Sequence, residues 1–186
     1  ETLEANLVVV ATGVKANTQF LEGSGVEVNE GVVVDEFLRS SVPNIYAAGD
    51  VAEGPDFSTR SRSVHAIQPT AVDHARMAAL NMAGEVAPFK GSISMNVLAS
   101  VGLISTSFAS WDGVEGGENA QVLDKDRFRY MRLSFQDDRL VGGIAVGVTQ
   151  HIGVLCGLIQ TEIRLGKWKK KLMEDPHLVA EAYVAC

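Results

Sequence analysis

The stretch Ile45-Tyr46-Ala47-Ala48-Gly49-Asp50 decides how this chain is read. The apolar run is too short for an amphipathic helix and shows no polar alternation. It therefore predicts a strand buried on both faces of a parallel sheet, stopping abruptly at Gly-Asp. Ligands of open α/β sheets bind at the carboxyl ends of such strands. Gly49 removes the side chain that would keep a ligand off the backbone. Asp50 presents an acceptor-only carboxylate, suited to a polyhydroxyl chain. Alone, the hexapeptide fits an ordinary buried strand ending in a turn equally well.

Working outward, Leu7-Val8-Val9-Val10-Ala11 predicts another buried strand, closed by Thr12-Gly13. Val26-Glu27-Val28 and Val32-Val33-Val34 flank Asn29-Glu30-Gly31, which predicts a hairpin with glycine at a positive φ. Residues 52–66 are polar and read as a loop. A helix is expected from Pro69-Thr70 to a C-cap at Gly84, burying Ala71, Ala75, Ala78, Ala79 and Met82 and leaving His74 in solvent. Pro88 and Gly91 mark a boundary. Beyond it, strands are expected at 93–98, 101–108, 119–124, 127–135 and 139–147, with Met131 breaking the alternation of its strand. Thr149 would cap a helix to about Leu165, closed by Gly166, followed by a short helix at 167–174 and a last one from Asp175-Pro176. The expected fold is an α/β portion over 1–88 and an α+β domain over 89–186, an antiparallel sheet covered by helices.

The 186 residues carry a net charge of −7, which argues against general affinity for nucleic acid or anionic membranes. Hydrophobic residues make up 46% and charged ones 21%, as in globular proteins. Cys156 and Cys186 form neither a disulfide framework nor a zinc spacing, and fit a reducing cytoplasm. Cys156 is expected in the core. No apolar run is long enough to span a bilayer, and no signal-peptide core opens the chain.

Ala11-Thr12-Gly13, then Ser40 through Asp50, then the Pro69-Thr70 helix follow an order that resembles the pyridine nucleotide–disulfide oxidoreductases. That family has an Ala-Thr-Gly junction after its nicotinamide domain and a Thr-x4-hydrophobic-aromatic-Ala-x-Gly-Asp motif that binds FAD; here Ser40 replaces the Thr. Residues 130–148 with the following helix resemble the C-terminal domain of its rubredoxin reductase, ferredoxin reductase, NADH oxidase and nitrite reductase branch. The resemblance implies that Asp50 bonds the ribityl chain of FAD, with Gly49 and Val51 lining the approach. The opening amides of the helix at Thr70 and Ala71 would face the pyrimidine edge of the flavin, where a helix N-terminus favours the charge of the reduced form. Thr12 and Gly13 would close the nicotinamide domain. The family's two Gly-x-Gly-x-x-Gly motifs and its redox cysteines have no counterpart here. The chain thus reads as the end of the nicotinamide domain, the C-terminal part of the FAD domain and the interface domain of an NAD(P)H-oxidising, cytoplasmic, homodimeric reductase. By itself it is expected to be inactive and to hold no stable FAD. The alternative is a non-catalytic dimerisation or docking module without flavin.

Four histidines have no metal-binding spacing. His65 precedes the flavin-facing helix and is a candidate neighbour of the ring; His151 and His177 are expected on the surface. Lys167-Trp168-Lys169-Lys170-Lys171 reads as a solvated helix face with Trp168 turned inward, or as a dock for a small acidic iron–sulfur electron acceptor. Arg60 and Arg62 are expected in a surface loop, with phosphate contact as the sharper reading.

Overall fold

The computed structural model of the chain describes residues 2–148 and 150–186, so the Thr149 cap lies outside the described residues. Two buried clusters organise it. The first gathers Val32, Val34, Leu38, Ala52 and Ala78, with Tyr46, Val51, Met77 and Phe89 packed against them. The second gathers Phe57 and Ile93 with the apolar residues of a five-stranded sheet and its helices.

In the first portion, β1 (Val32–Val33) runs parallel to β2 (Ala52–Pro55), and β2 pairs antiparallel with β3 (Arg62–Val64). Residues 52–66 thus contain a strand pair where a loop was expected. Its polarity misleads because the buried Glu53 carboxylate is fully engaged: it accepts the Glu30 and Gly31 amides and the Asn29 side chain. The expected hairpin at 26–34 is present as a bridge between Val28 and Val32. Gly31 is absent from the positive-φ glycines, however. What demands glycine there is close approach, since a Cβ would come within 2.7 Å of the Val51 carbonyl oxygen.

Two expected strands are corrected. Leu7, Val8, Val9 and Val10 are 75–79% exposed and form no strand. A parallel strand is stable only between neighbours, and no described residue pairs with this run. The run at 45–48 is not a central strand either. It returns antiparallel along 38–40, with Ala47 N–H donating to the Leu38 carbonyl, Ser40 N–H to the Ile45 carbonyl, and a bridge between Arg39 and Tyr46. The Ser40 hydroxyl holds the intervening turn, accepting from Val42 N–H.

Helix α1 (Gln68–Met82) forms as expected, with Pro69 in its first turn and Gly84 at φ +91 beyond its end. Its buried stripe is different. Thr70, His74, Ala78 and Asn81 face inward, whereas Ala75, Ala79 and Met82 are exposed. Polar residues occupy the stripe because their groups are satisfied: Asn81 donates to the Phe37, Met77 and Ala87 carbonyls and accepts from Ala87 N–H.

The second portion holds β4 (Met95–Ser100), β5 (Leu103–Ala109), β6 (Glu118–Asp124), β7 (Arg129–Gln136) and β8 (Arg139–Val146) in the order β4-β5-β8-β7-β6, all antiparallel. Met131, Leu133 and Phe135 share the covered face of β7. Met131 therefore sets the phase of the strand, and the exposed Phe128 lies outside it. Covering them are α2 (Ile152–Thr161), α3 (Lys167–Glu174) and α4 (Val179–Ala185), through Leu155, Leu158, Leu172 and Val179. Burying each such side chain contributes about 2 kcal/mol. Helix α2 stops at Thr161, before the expected Leu165, because Glu162 turns left-handed at φ 51. Gly166 opens α3, its amide held by the Asp138 carboxylate.

The two portions meet along a seam. Phe57 N–H donates to the Ser92 carbonyl, Ser92 N–H to the Pro55 carbonyl, and Arg60 pairs with Glu162. Among the described residues no helix is long and apolar enough to cross a membrane.

Candidate functional site

Gly49, Asp50 and Val51 form a single helical turn immediately before β2. Gly49 is buried at φ +77, and a Cβ there would sit 3.4 Å from that of Ala71. A side chain would strain the backbone and press on the start of α1; glycine lets the turn lie against the helix. Asp50 is exposed and makes no hydrogen bond among the described residues, which leaves its carboxylate free to accept. Val51 is half-buried in the first cluster.

The opening of α1 lies beside this turn. Of the two amides singled out there, that of Ala71 already closes the helix, donating to the Ile67 carbonyl at 3.1 Å. Thr70 is buried, and its N–H belongs to the first turn, where helix geometry leaves donors without intrahelical partners. The structure thus brings Gly49, Asp50, Val51, Thr70 and Ala71 together. Thr12 and Gly13 are apart from them: both are exposed, and nothing lies within 4 Å of a Cβ built on Gly13.

His74 corrects an expectation. It is 1% exposed, not solvated, and Gly49 N–H donates to its Nδ1 at 3.3 Å. The sequence signal was the Thr70, His74, Ala78 and Asn81 stripe at helical spacing, masked by its polar members. Burial pushes His74 below the ordinary histidine range, with His65 adding to the effect and Asp73 opposing it.

His65 is engaged elsewhere. Its Nε2 lies 2.8 Å from both Asp56 Oδ2 and Ser63 Oγ, and Ser63 also donates to Asp56. A Ser-His-Asp relay needs two different ring nitrogens, so this trio does not activate Ser63. Asp56 also accepts from Ser58 and Thr59 N–H. Burial alone would raise its pKa, but these donors and His65 hold it below the ordinary carboxylate value.

Both depressed groups make acid destabilising. The unfolded chain takes up each proton at a higher pH than the folded chain does, so stability rises with pH through both windows. The share from His74 is complete above about 6.5, its ordinary value, and is lost as pH falls through its lower folded value. The share from Asp56 is complete above 3.8 and lost below it. Urea midpoints should therefore fall from pH 7 to 5 and again below 4; a flat profile would contradict both assignments.

Remaining candidates take structural roles. Arg60 stacks over Phe57 at 4.8 Å and pairs with Glu162, while Arg62 donates to the Val34 carbonyl. Lys169 pairs with Glu118, Lys171 lies 4.0 Å over the Trp168 ring, and Trp168 packs on the second cluster. Only Lys167 and Lys170 of the basic run point free of such partners. Burial, with the Asp73 carboxylate adding to it, pushes the Cys156 thiol up, so it is a poor nucleophile. His151 and His177 are exposed, and no metal-holding cluster exists among the described residues. A hollow of about 220 Å³ at the seam shares no lining residue with the Gly49 turn.

Residues 1–78 match a family model described as pyridine nucleotide-disulphide oxidoreductase. The epsilon subunit of NADH-dependent phenylglyoxylate dehydrogenase from Aromatoleum evansii is 34% identical over 179 residues, 94% of this chain and 42% of that protein. The NAD-dependent persulfide reductase of A. fulgidus aligns with a TM-score of 0.74 and 25% identity over 88% of this chain and 34% of its own. The covalent putidaredoxin reductase–putidaredoxin complex gives a TM-score of 0.78 over 98% of this chain and 43% of its own, at 19% identity, a likeness of fold alone. The chain spans less than half the length of each of these relatives.

Proposed function

Because this chain belongs to the pyridine nucleotide-disulphide oxidoreductases, we propose that it supplies one side of the FAD site of a reductase that draws electrons from NAD(P)H. The observation that carries this is the free Asp50 carboxylate on a glycine turn laid against a helix N-terminus. The residues fit the group. Asp50 offers acceptor oxygens to ribityl hydroxyls, and Gly49 lets the turn that carries it lie against the start of α1. The first turn of α1 at Thr70 presents an open donor and the positive end of a 15-residue helix to an anionic edge. When bound, FAD supplies the capacity to accept hydride and release electrons; these side chains hold and orient it.

In this reading residues 1–88 are the end of the nicotinamide domain plus the C-terminal part of the FAD domain, and 89–186 the interface domain. Thr12 and Gly13 stand at the junction between nucleotide domains. The reading includes a cytoplasmic homodimer and a small iron–sulfur acceptor. The partly engaged lysine run leaves Lys167 and Lys170 to meet it.

Reconstitution with FAD tests the proposal. The full-length reductase should show flavin absorbance at one FAD per chain, and the 186 residues alone should not. Asp50→Ala should weaken FAD about tenfold to a hundredfold, the worth of one to two lost charge-assisted bonds. Absence of flavin absorbance would favour a docking module without flavin, and an Asp50→Ala affinity equal to wild type would remove Asp50 from the flavin site.

A further inference from the structure

His74 stands on the buried stripe of α1, in a slot between Gly54 and Phe89. A Cβ on Gly54 would come to 3.5 Å from His74 Cε1, and the Phe89 ring meets the imidazole edge-on with centroids 4.8 Å apart. Both ring nitrogens are used. Gly49 N–H donates to Nδ1, and Nε2 lies 3.2 Å from Ser92 Oγ. A nitrogen that accepts a hydrogen bond carries no proton. The neutral ring therefore holds its proton on Nε2 and donates to Ser92. An imidazolium would set a ring N–H against the Gly49 N–H, donor facing donor.

We propose that His74 is the positioning residue of the Gly49–Asp50 turn: a neutral, Nε2-protonated imidazole that accepts the Gly49 amide and fixes how Asp50 is presented. It rests on the flavin reading for the ligand, but not for the tautomer. Gly49 sits at φ +77, where glycine has no strong preference of its own, so an external bond decides its orientation. That bond comes from a ring which cannot turn. Its other nitrogen is tied to Ser92, whose backbone joins both Pro55 and Phe57 at the seam. One side chain thus links the turn, α1 and the second portion. The lowered affinity of the buried ring for a proton agrees with the neutral form.

Three substitutions separate positioning from mere packing. Asn sets an oxygen near the place of Nδ1, Gln sets its polar end near Nε2, and Leu fills space with neither. In the labelled 186-residue chain, ring-nitrogen NMR at neutral pH should show Nδ1 bare and Nε2 protonated. Hydrogen exchange at the Gly49 amide should be about tenfold faster in H74Q and H74L, and within about threefold of wild type in H74N. Ser92→Ala, which leaves the Gly49 bond in place, should keep slow exchange. In the full-length reductase, FAD should dissociate about tenfold faster from H74Q and H74L, with H74N restoring retention. A proton on Nδ1, or equal Gly49 exchange in all three variants, overturns the assignment. If the tautomer and exchange results hold but the full-length protein carries no FAD, the flavin reading fails and the His74–Gly49 link stands.

Discussion

Replacing Glu53 with alanine is expected to lower the free energy of unfolding by about 3 kcal/mol, read from the urea midpoint at constant slope. Glu53 is 6% exposed, and its carboxylate is the acceptor for three donors. Oε2 takes Glu30 N–H at 2.8 Å and Gly31 N–H at 3.1 Å; Oε1 takes Asn29 Nδ2 at 3.1 Å. Gly31 has no room to turn its amide toward water, packed as it is against Val51 and Val64. Alanine would leave that donor buried and unpaired, which costs more than the net worth of one bond. Glu53→Gln should cost only about 1 kcal/mol, because its carbonyl still accepts from the two amides and Asn29 can present its oxygen to the new NH₂. Equal losses for alanine and glutamine would show that charge matters, not the clasp. No loss for alanine would remove the clasp altogether.

Gly91→Ala is expected to cost more, about 4 kcal/mol. Gly91 has φ +114, and a Cβ would lie 2.6 Å from Phe57 N and 2.9 Å from the Asp56 carbonyl carbon. These are backbone atoms, so relief requires moving residues 56–57 away from 91–92. That movement breaks the Phe57–Ser92 and Ser92–Pro55 hydrogen bonds, 2.9 and 2.8 Å long, which hold the seam. Denaturant unfolding would measure the loss, and amide exchange at Phe57 and Ser92 would locate it. A cost below about 1 kcal/mol would mean that the seam yields freely.

The second portion was far more legible in sequence than the first. Its five strands fall close to their expected ranges, and α3 occupies the expected 167–174. Three of its four ladders join consecutive antiparallel strands, so both partners lie in neighbouring sequence; only β5 with β8 spans a longer stretch. Gln136-Asp137-Asp138 announces the turn from β7 to β8 directly. The apolar runs at 7–11 and 45–48 carry no such information about partners, and period alone cannot say whether a neighbour exists. The Gly49–Asp50 turn was visible because its chemistry is local. His74, Glu53 and Asn81 were not, since a buried polar residue looks exposed until its partner, 6 to 44 residues away, is known.

The exposed run at Leu7, Val8, Val9 and Val10 bears on how copies of this chain behave toward one another. Four successive apolar side chains on unpaired backbone are a template for strand addition between molecules. What holds copies apart is a shared charge of −7. Acid first removes that charge over the range in which it loosens the fold through His74. Colloidal and conformational protection thus fail in the same direction of pH.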